Sequence, residues 1–195
     1  MAGRQAAKVP PTSGFVRLAL PAEAAAITAV QRAVLRDPTH PYHPLLAHLV
    51  PEEMTAVWRQ AILAPPLASY RVLVATPLGP STGSEPIVGM VAVGPSSDPD
   101  AEPTDGQVLD LLVHPAARRQ GHGSRLVQAA VETLRMDGFT RATWWLTAGD
   151  DALRSFVQAM GWAPDGAHAE VDNDYLRLKQ VRLHTDISQV SGVAE

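Results

Sequence analysis

The sequence predicts a mixed α/β fold in which helices cover a central sheet. Three observations carry this. Short apolar runs rich in β-branched residues, such as "YRVLVAT" (70–76), read as strands. Other segments repeat apolar residues at helical spacing, as Leu126, Val127, Ala130, Val131 and Leu134 do. Both kinds follow one another with no linker long enough to divide the chain. A single domain over residues 15–187 is expected, between a loose tail (1–14) and a frayed end (188–195).

The elements follow in order. "FVRLAL" (15–20) alternates and reads as a first strand. Pro21 then opens an Ala-rich helix to Leu35, with Glu23 in its first turn and Ile27, Val30, Val34 and Leu35 on one face. Pro38, Pro41, Pro44 and Pro51 break the next stretch into a long ordered loop, with room for one helical turn. Pro51 starts a second helix, carrying Glu52 and Glu53 near its N-terminus. Strands follow at 70–76 and at 87–94, separated by the turn-forming "PLGPSTGSEP". The run "IVGMVAVG" is nearly all apolar, so burial on both faces is expected. A polar, acidic loop leads to "QVLDLLV" (107–113), a strand interrupted only by Asp110. A helix to about Asp137 comes next, closed by Gly138 as a left-handed cap with Phe139 packing back. "RATWWLT" (141–147), a short helix ending at Gly161 and two strands around "DND" complete the order.

Composition narrows the function. A net charge of −4 argues against a general nucleic-acid binder. With no cysteine in the chain, disulfides, thiolate metal sites and a cysteine nucleophile are excluded. No apolar run is long enough to cross a bilayer, and the opening residues lack the apolar core of a secretory signal. The expectation is therefore a cytoplasmic protein with no membrane partner. Aromatic residues make up only 5% of the chain, so aliphatic side chains must form the core.

The most informative stretch is "HPAARRQGHGSRL" (114–126). It puts two glycines where a strand hands over to a helix, although glycine weakens a helix. The first amides of a helix have no partner within it, and the helix dipole is positive there. A bare backbone at that point suits a phosphate group. Gly121 and Gly123 supply the bareness, Arg118 and Arg119 add charge, and Ser124 offers a hydroxyl. The lysine of a P-loop is absent, and Leu126 occupies the third glycine position of a dinucleotide fingerprint. What remains is R/Q-x-x-G-x-G/A, here Arg118-Arg119-Gln120-Gly121-His122-Gly123.

With that pattern after "LLVHP", residues 109–139 resemble the central motif of the GNAT superfamily of acyl-CoA-dependent N-acetyltransferases. "GDDALRSFVQAMGW" (149–162) is similar to the second signature of that family. The resemblance spans roughly Phe15 to Ile187. It implies a twisted, mostly antiparallel sheet of about seven strands, with strands 4 and 5 splayed and about four helices around it. It also implies acetyl-CoA as cofactor. Leu111, Leu112 and Val113 would pair with its pantetheine arm. Arg118, Arg119, Gln120, Gly121, His122, Gly123 and Ser124 would surround the diphosphate, and Asp150 and Phe156 would complete the binding wall. The implied reaction is direct transfer of acetyl to a primary amine, on a small-molecule or peptidyl acceptor. An acyl-CoA-binding sensor with little turnover would share the same turn.

The sequence departs from the family where a tyrosine usually follows the phenylalanine of the second signature. Val157 stands there and carries no proton. Tyr175 and Ser155 are the substitutes considered for the acid, and water is a third. A thiol has a pKa of about 8.5, so its thiolate leaves tolerably well unaided. Asp110 is the candidate base, because apolar neighbours would raise its pKa toward the range of a proton acceptor. Its alternative is an acid on an outer face, paired with a helix residue. Glu170 and Asp172 read as a solvated hairpin or as attractors of a cationic amine. His40, His43 and His48 share a loop, at spacings that fit no metal motif. His114 shapes the turn before the glycines, and His122 brushes cofactor or solvent. Trp144 and Trp145 point to opposite faces of one strand, at least one of them core. Trp58 anchors the second helix or walls the acceptor pocket. The last strand, "VRLHTDI", is a possible homodimer contact.

Overall fold

Seven strands form one sheet in the order β1-β2-β3-β4-β5-β7-β6. The computed structural model describes residues 14–77 and 86–188. The strands are β1 (Phe15–Leu18), β2 (Arg71–Thr76), β3 (Gly89–Pro95), β4 (Asp105–Val113), β5 (Arg141–Thr147), β6 (Ala163–Asp172) and β7 (Arg177–Asp186). The helices are α1 (Ala24–Leu35), α2 (Pro51–Leu63), α3 (His122–Met136) and α4 (Asp151–Gln158). Every strand pair is antiparallel except β4–β5, which α3 connects as a crossover. The element order is the one the sequence implies. The turn "PLGPSTGSEP" lies almost wholly outside the described residues, as do both tails. Among the described residues no helix is long and apolar enough to cross a membrane.

Each face of the sheet has its own core. On one side α3 places Leu126, Val127, Ala130 and Leu134 against Val91, Val93 and Val108. On the other, Ile27, Val30 and Val34 of α1 meet Val74, Met90 and Leu112. β3 serves both cores through alternate residues, which explains its unbroken apolar run. Each such side chain contributes about 1.5–3 kcal/mol by burial. Trp144 belongs to the α3-side core, and Trp145 points the other way, half-buried. Trp58 packs on the α1 side and donates its indole N–H to Gln31 Oε1 at 2.8 Å.

Several features differ from the sequence reading. The first helix starts later, because Pro21–Glu23 is a 3₁₀ turn. There Glu23 folds back to accept the Leu20 amide at 2.8 Å and to pair with Arg17 at 2.6 Å. β6 is longer than "AHAEV", carried back to Ala163 across an irregularity between Pro164 and His168. The last strand, β7, is internal, flanked by β5 and β6, so its edge is not open to a second subunit. The sheet edges are β1 and β6. Gly138 does cap α3 with φ +92°, and the Phe139 amide donates to Leu134 O at 3.1 Å.

The feature that shapes the site is a bulge in β4. Ala92 pairs with Asp110 but Val93 pairs with Val108, which leaves Leu109 as an extra residue. The bulge changes the alternation of the strand. Val108 faces the α3 core, whereas Leu112, and with it Asp110, faces the α1 side. Parallel pairing with β5 runs only from Asp105↔Arg141 to Val108↔Trp144. Beyond it the two strands part, and β5 continues on β7 alone. The expected splay of strands 4 and 5 thus begins at the bulge.

Candidate active site

The turn from β4 to α3 is built for a bare backbone. His114 Nδ1 accepts the Ala116 amide at 3.2 Å and shapes the bend, as its place before Pro115 suggests. Arg119 then takes a left-handed φ of 64°, and Gly121, the N-cap of α3, takes φ +81°. Only glycine adopts that conformation without strain. Gly123 is different, since it lies in the first helical turn. A Cβ there would meet Phe156 Cζ at 3.5 Å and Val113 at 3.8 Å, which is ordinary contact. Neither backbone nor packing requires glycine at 123. It lines the space in front of it.

That space is a cleft of about 1000 Å³. β4 lines it with Leu111, Leu112 and Val113, and the turn with Arg118, Arg119, Gly121, Gly123 and Ser124. α4 contributes Asp150, Leu153, Ser155 and Phe156. Asp150 is also the N-cap of α4, its Oδ1 accepting the Leu153 amide at 2.9 Å. Two expected members are placed elsewhere. Gln120 turns back to donate to Ala116 O at 3.1 Å. His122 is buried, 3% exposed, so it meets neither cleft nor solvent. A Cβ on Gly14 would lie 2.9 Å from its ring, and Arg125 Nη2 lies 3.2 Å from its Nδ1. Burial, with the Arg125 charge, lowers the His122 pKa.

A further wall comes from the α1–α2 loop. Asp37, Thr39, His40 and Pro41 also line the cleft. The available signal was the proline spacing, which stiffens this segment. His40 Nδ1 accepts the Tyr42 amide at 3.2 Å, and burial lowers the His40 pKa. His43–His48 forms a short 3₁₀ helix of about two turns, where the sequence left room for one.

The candidate acid and base are placed as follows. Tyr175 is half-exposed at the tip of the β6–β7 hairpin, with its ring stacked on His48 at 3.9 Å. It does not line the cleft. Val157 is fully buried in the α3-side core. Asp110 immediately precedes the lining residues of β4, on its α1 side, without itself lining the cleft. Burial pushes its carboxyl up to about 6, against a weaker opposing pull from the Leu111 amide. Glu170 and Asp172 are both engaged by Arg177 at the hairpin.

Beside the splay the acidic β3–β4 loop is tied down. Arg182 of β7, its side chain 6% exposed, donates to Asp98 at 2.9 Å, Asp100 at 2.6 Å and Asp165 at 2.7 Å. Its guanidinium lies 5.5 Å from the Trp145 ring, and the Trp145 indole N–H donates to Asp98 at 2.9 Å. The Arg182 hydrogen bonds hold Asp100 at about 2. Burial works to raise Asp165, but the Ala167 amide and the Arg182 and Arg141 guanidiniums outweigh it and keep it low. Arg182→Ala removes the charge that three carboxylates share, while Trp145 still holds Asp98 and Arg141 still holds Asp165, so a loss of about 1–3 kcal/mol is expected. Urea unfolding checks this, and a loss below about 1 kcal/mol would show the knot to be a surface ornament.

Residues 38–162 match the model of the acetyltransferase (GNAT) family. The chain belongs to this family. It is an acetyltransferase, and its cofactor is acetyl-CoA. Solved GNAT structures share the fold. An N-acetyltransferase from Staphylococcus aureus Mu50 is 15% identical, with a TM-score of 0.68 over 90% of this chain and 99% of that one. The structure of yncA from Salmonella typhimurium, with its cofactor acetyl-CoA, is 18% identical with a TM-score of 0.68, over 93% and 98%. A ribosomal-protein-alanine N-acetyltransferase from Brucella melitensis is 16% identical with a TM-score of 0.66, over 88% and 99%. No curated protein is significantly similar in sequence. The GNAT residues present fit the cofactor, since Gly123 is bare toward the cleft with no internal reason to be so.

Proposed function

We propose that the protein is an N-acetyltransferase that passes acetyl directly to a primary amine of a small-molecule or peptidyl acceptor. The observation that carries this reading is the junction of Gly123 with the parted edge of β4. Acetyl-CoA supplies an acyl group already activated as a thioester. The α3 amides from Gly121 to Ser124, with Arg118 and Arg119, bind its diphosphate. The Leu111–Val113 edge pairs with the pantetheine arm as a missing strand would, and Asp150 and Phe156 close the wall. A β4 amide polarises the acyl oxygen. Asp110 takes a proton from the incoming ammonium, directly or through one water, as a base with a pKa of about 6 can near neutral pH.

The second reading, an acyl-CoA sensor, is favoured by the apolar, buried Val157. One experiment separates the two. A melting-temperature screen with CoA thioesters selects the best-bound donor, and an amine panel is then followed by release of free CoA. Transfer predicts amine-dependent release. Strong melting shifts with no release from any amine would establish the sensor.

A further inference from the structure

The wall that the α1–α2 loop adds to the cleft consists of Asp37, Thr39, His40 and Pro41, next to Val34 of α1. Most of its polar groups are already engaged. Asp37 Oδ1 accepts the Thr39 amide at 2.9 Å and the Thr39 hydroxyl at 2.7 Å. The His40 amide donates to Asp37 O at 2.9 Å, and Pro41 has no N–H. The Tyr42 amide donates to His40 Nδ1 at 3.2 Å. A ring nitrogen that accepts an amide proton carries none of its own, so the hydrogen of the neutral imidazole is on Nε2. Nε2 has no hydrogen-bond partner among the described residues, and the protein does not enclose it. His40 is therefore the side chain of this wall with a proton still to give.

The ring is kept neutral. Burial is the main cause, and it lowers the His40 pKa. Of the charges around the ring, Asp150 and Asp37 favour protonation, and Arg118 and His43 oppose it. Arg118 follows β4 at the turn into α3, and Asp150 caps α4 beyond β5. Both line the cleft with His40. His40 thus feels the charges of both sides of the splay, between the arginines of the turn and the start of α4.

We propose that His40 is a cofactor-binding residue whose Nε2–H donates to an amide carbonyl of the pantetheine arm. The assignment rests on the placement of that arm along Leu111–Val113 given above. The arm carries amide groups of its own, and their carbonyls lose water on entering the cleft. The β4 edge serves the carbonyls that it pairs with. Any other meets a space lined by Val34, Leu112, Leu153 and Phe156, where an acceptor without a donor is costly. Asp37 and Asp150, when ionised, can only accept. A neutral donor meets the carbonyl and adds no charge to repel an incoming ammonium.

The test is calorimetric titration of wild type and His40→Asn with coenzyme A and with 3′-phospho-ADP, which has the diphosphate and lacks the arm. The side-chain oxygen of asparagine accepts the amide two residues on, so the loop keeps its tie while the Nε2–H is lost. The variant should bind coenzyme A about three- to tenfold more weakly and 3′-phospho-ADP as wild type does. A histidine that serves only to shape the loop predicts wild-type affinity for both. Unchanged affinity for coenzyme A overturns the assignment. So does an equal loss for both ligands, which would put the contact at the phosphates. Imidazole nitrogen spectra of the wild-type protein test the same contact without a substitution. The His40 Nε2–H should move downfield with coenzyme A and stay in place with 3′-phospho-ADP, and an Nε2 signal unmoved by bound coenzyme A overturns the assignment as well. Wild-type protein that binds 3′-phospho-ADP as tightly as coenzyme A removes the placement of the arm and this assignment together.

Discussion

Gly123→Val should destroy the response to acetyl-CoA, whereas Gly123→Ala, which the pattern R/Q-x-x-G-x-G/A admits, should keep it and leave the free protein as stable as wild type or more stable by up to about 1 kcal/mol. The reason is the contrast between the two glycines. Gly123 is helical, and its added Cβ would touch Phe156 at an ordinary 3.5 Å, so alanine improves the helix without crowding it. The branched methyls of valine go further and enter the space where a diphosphate must come close to the amides. At a ligand concentration 100 times Kd, binding stabilises a protein by about 2.7 kcal/mol. A hundredfold loss of affinity cuts this to about 0.4 kcal/mol, which scanning calorimetry resolves easily. Gly121→Ala should behave differently, because φ +81° is costly for alanine. There the free protein itself should lose about 1–2 kcal/mol. A full acetyl-CoA shift in Gly123→Val would mean that the cleft does not need a small residue at 123.

Asp110→Asn is expected to lower kcat by on the order of 10²–10⁴-fold and leave KM for acetyl-CoA nearly unchanged. The wild-type kcat should fall as pH drops through about 6, where the carboxylate is protonated and stops acting as a base. The variant should lack that acid limb. Stability moves in a sense that can be worked out. The folded-state pKa lies above the ordinary value of 3.8, so the native state binds this proton more tightly than the unfolded chain. Stability therefore falls as pH rises from about 4 to about 6, by roughly 2–3 kcal/mol from this group. Asparagine removes that dependence and should leave the variant more stable than wild type at pH 7. Wild-type activity in Asp110→Asn, or an acid limb that survives, would reduce Asp110 to an enclosed acid with no part in transfer.

Where local chemistry decides the structure, the sequence was easily read. Gly138 with Phe139, Pro51 ahead of α2 and the paired glycines each impose one geometry, and all occur as expected. β3 announced burial on both faces by lacking any polar residue. The bulge at Leu109 was not readable, because a register shift depends on the partner strand and leaves no mark on β4 itself. The inward turn of His122 depends on Gly14, far away in the sequence. The Arg182 knot joins residues from three separate segments, and a carboxylate-rich loop alone reads as solvated.

The central claim is that the amides opening α3 receive a diphosphate. Amide proton and nitrogen spectra recorded during a titration with coenzyme A test it most directly. The account predicts that Gly121, Gly123 and Ser124 show the largest downfield proton shifts, as amides do on gaining a charged acceptor, and that pantetheine, which lacks the phosphates, leaves them in place. Saturable binding of coenzyme A with those three signals unmoved would contradict it.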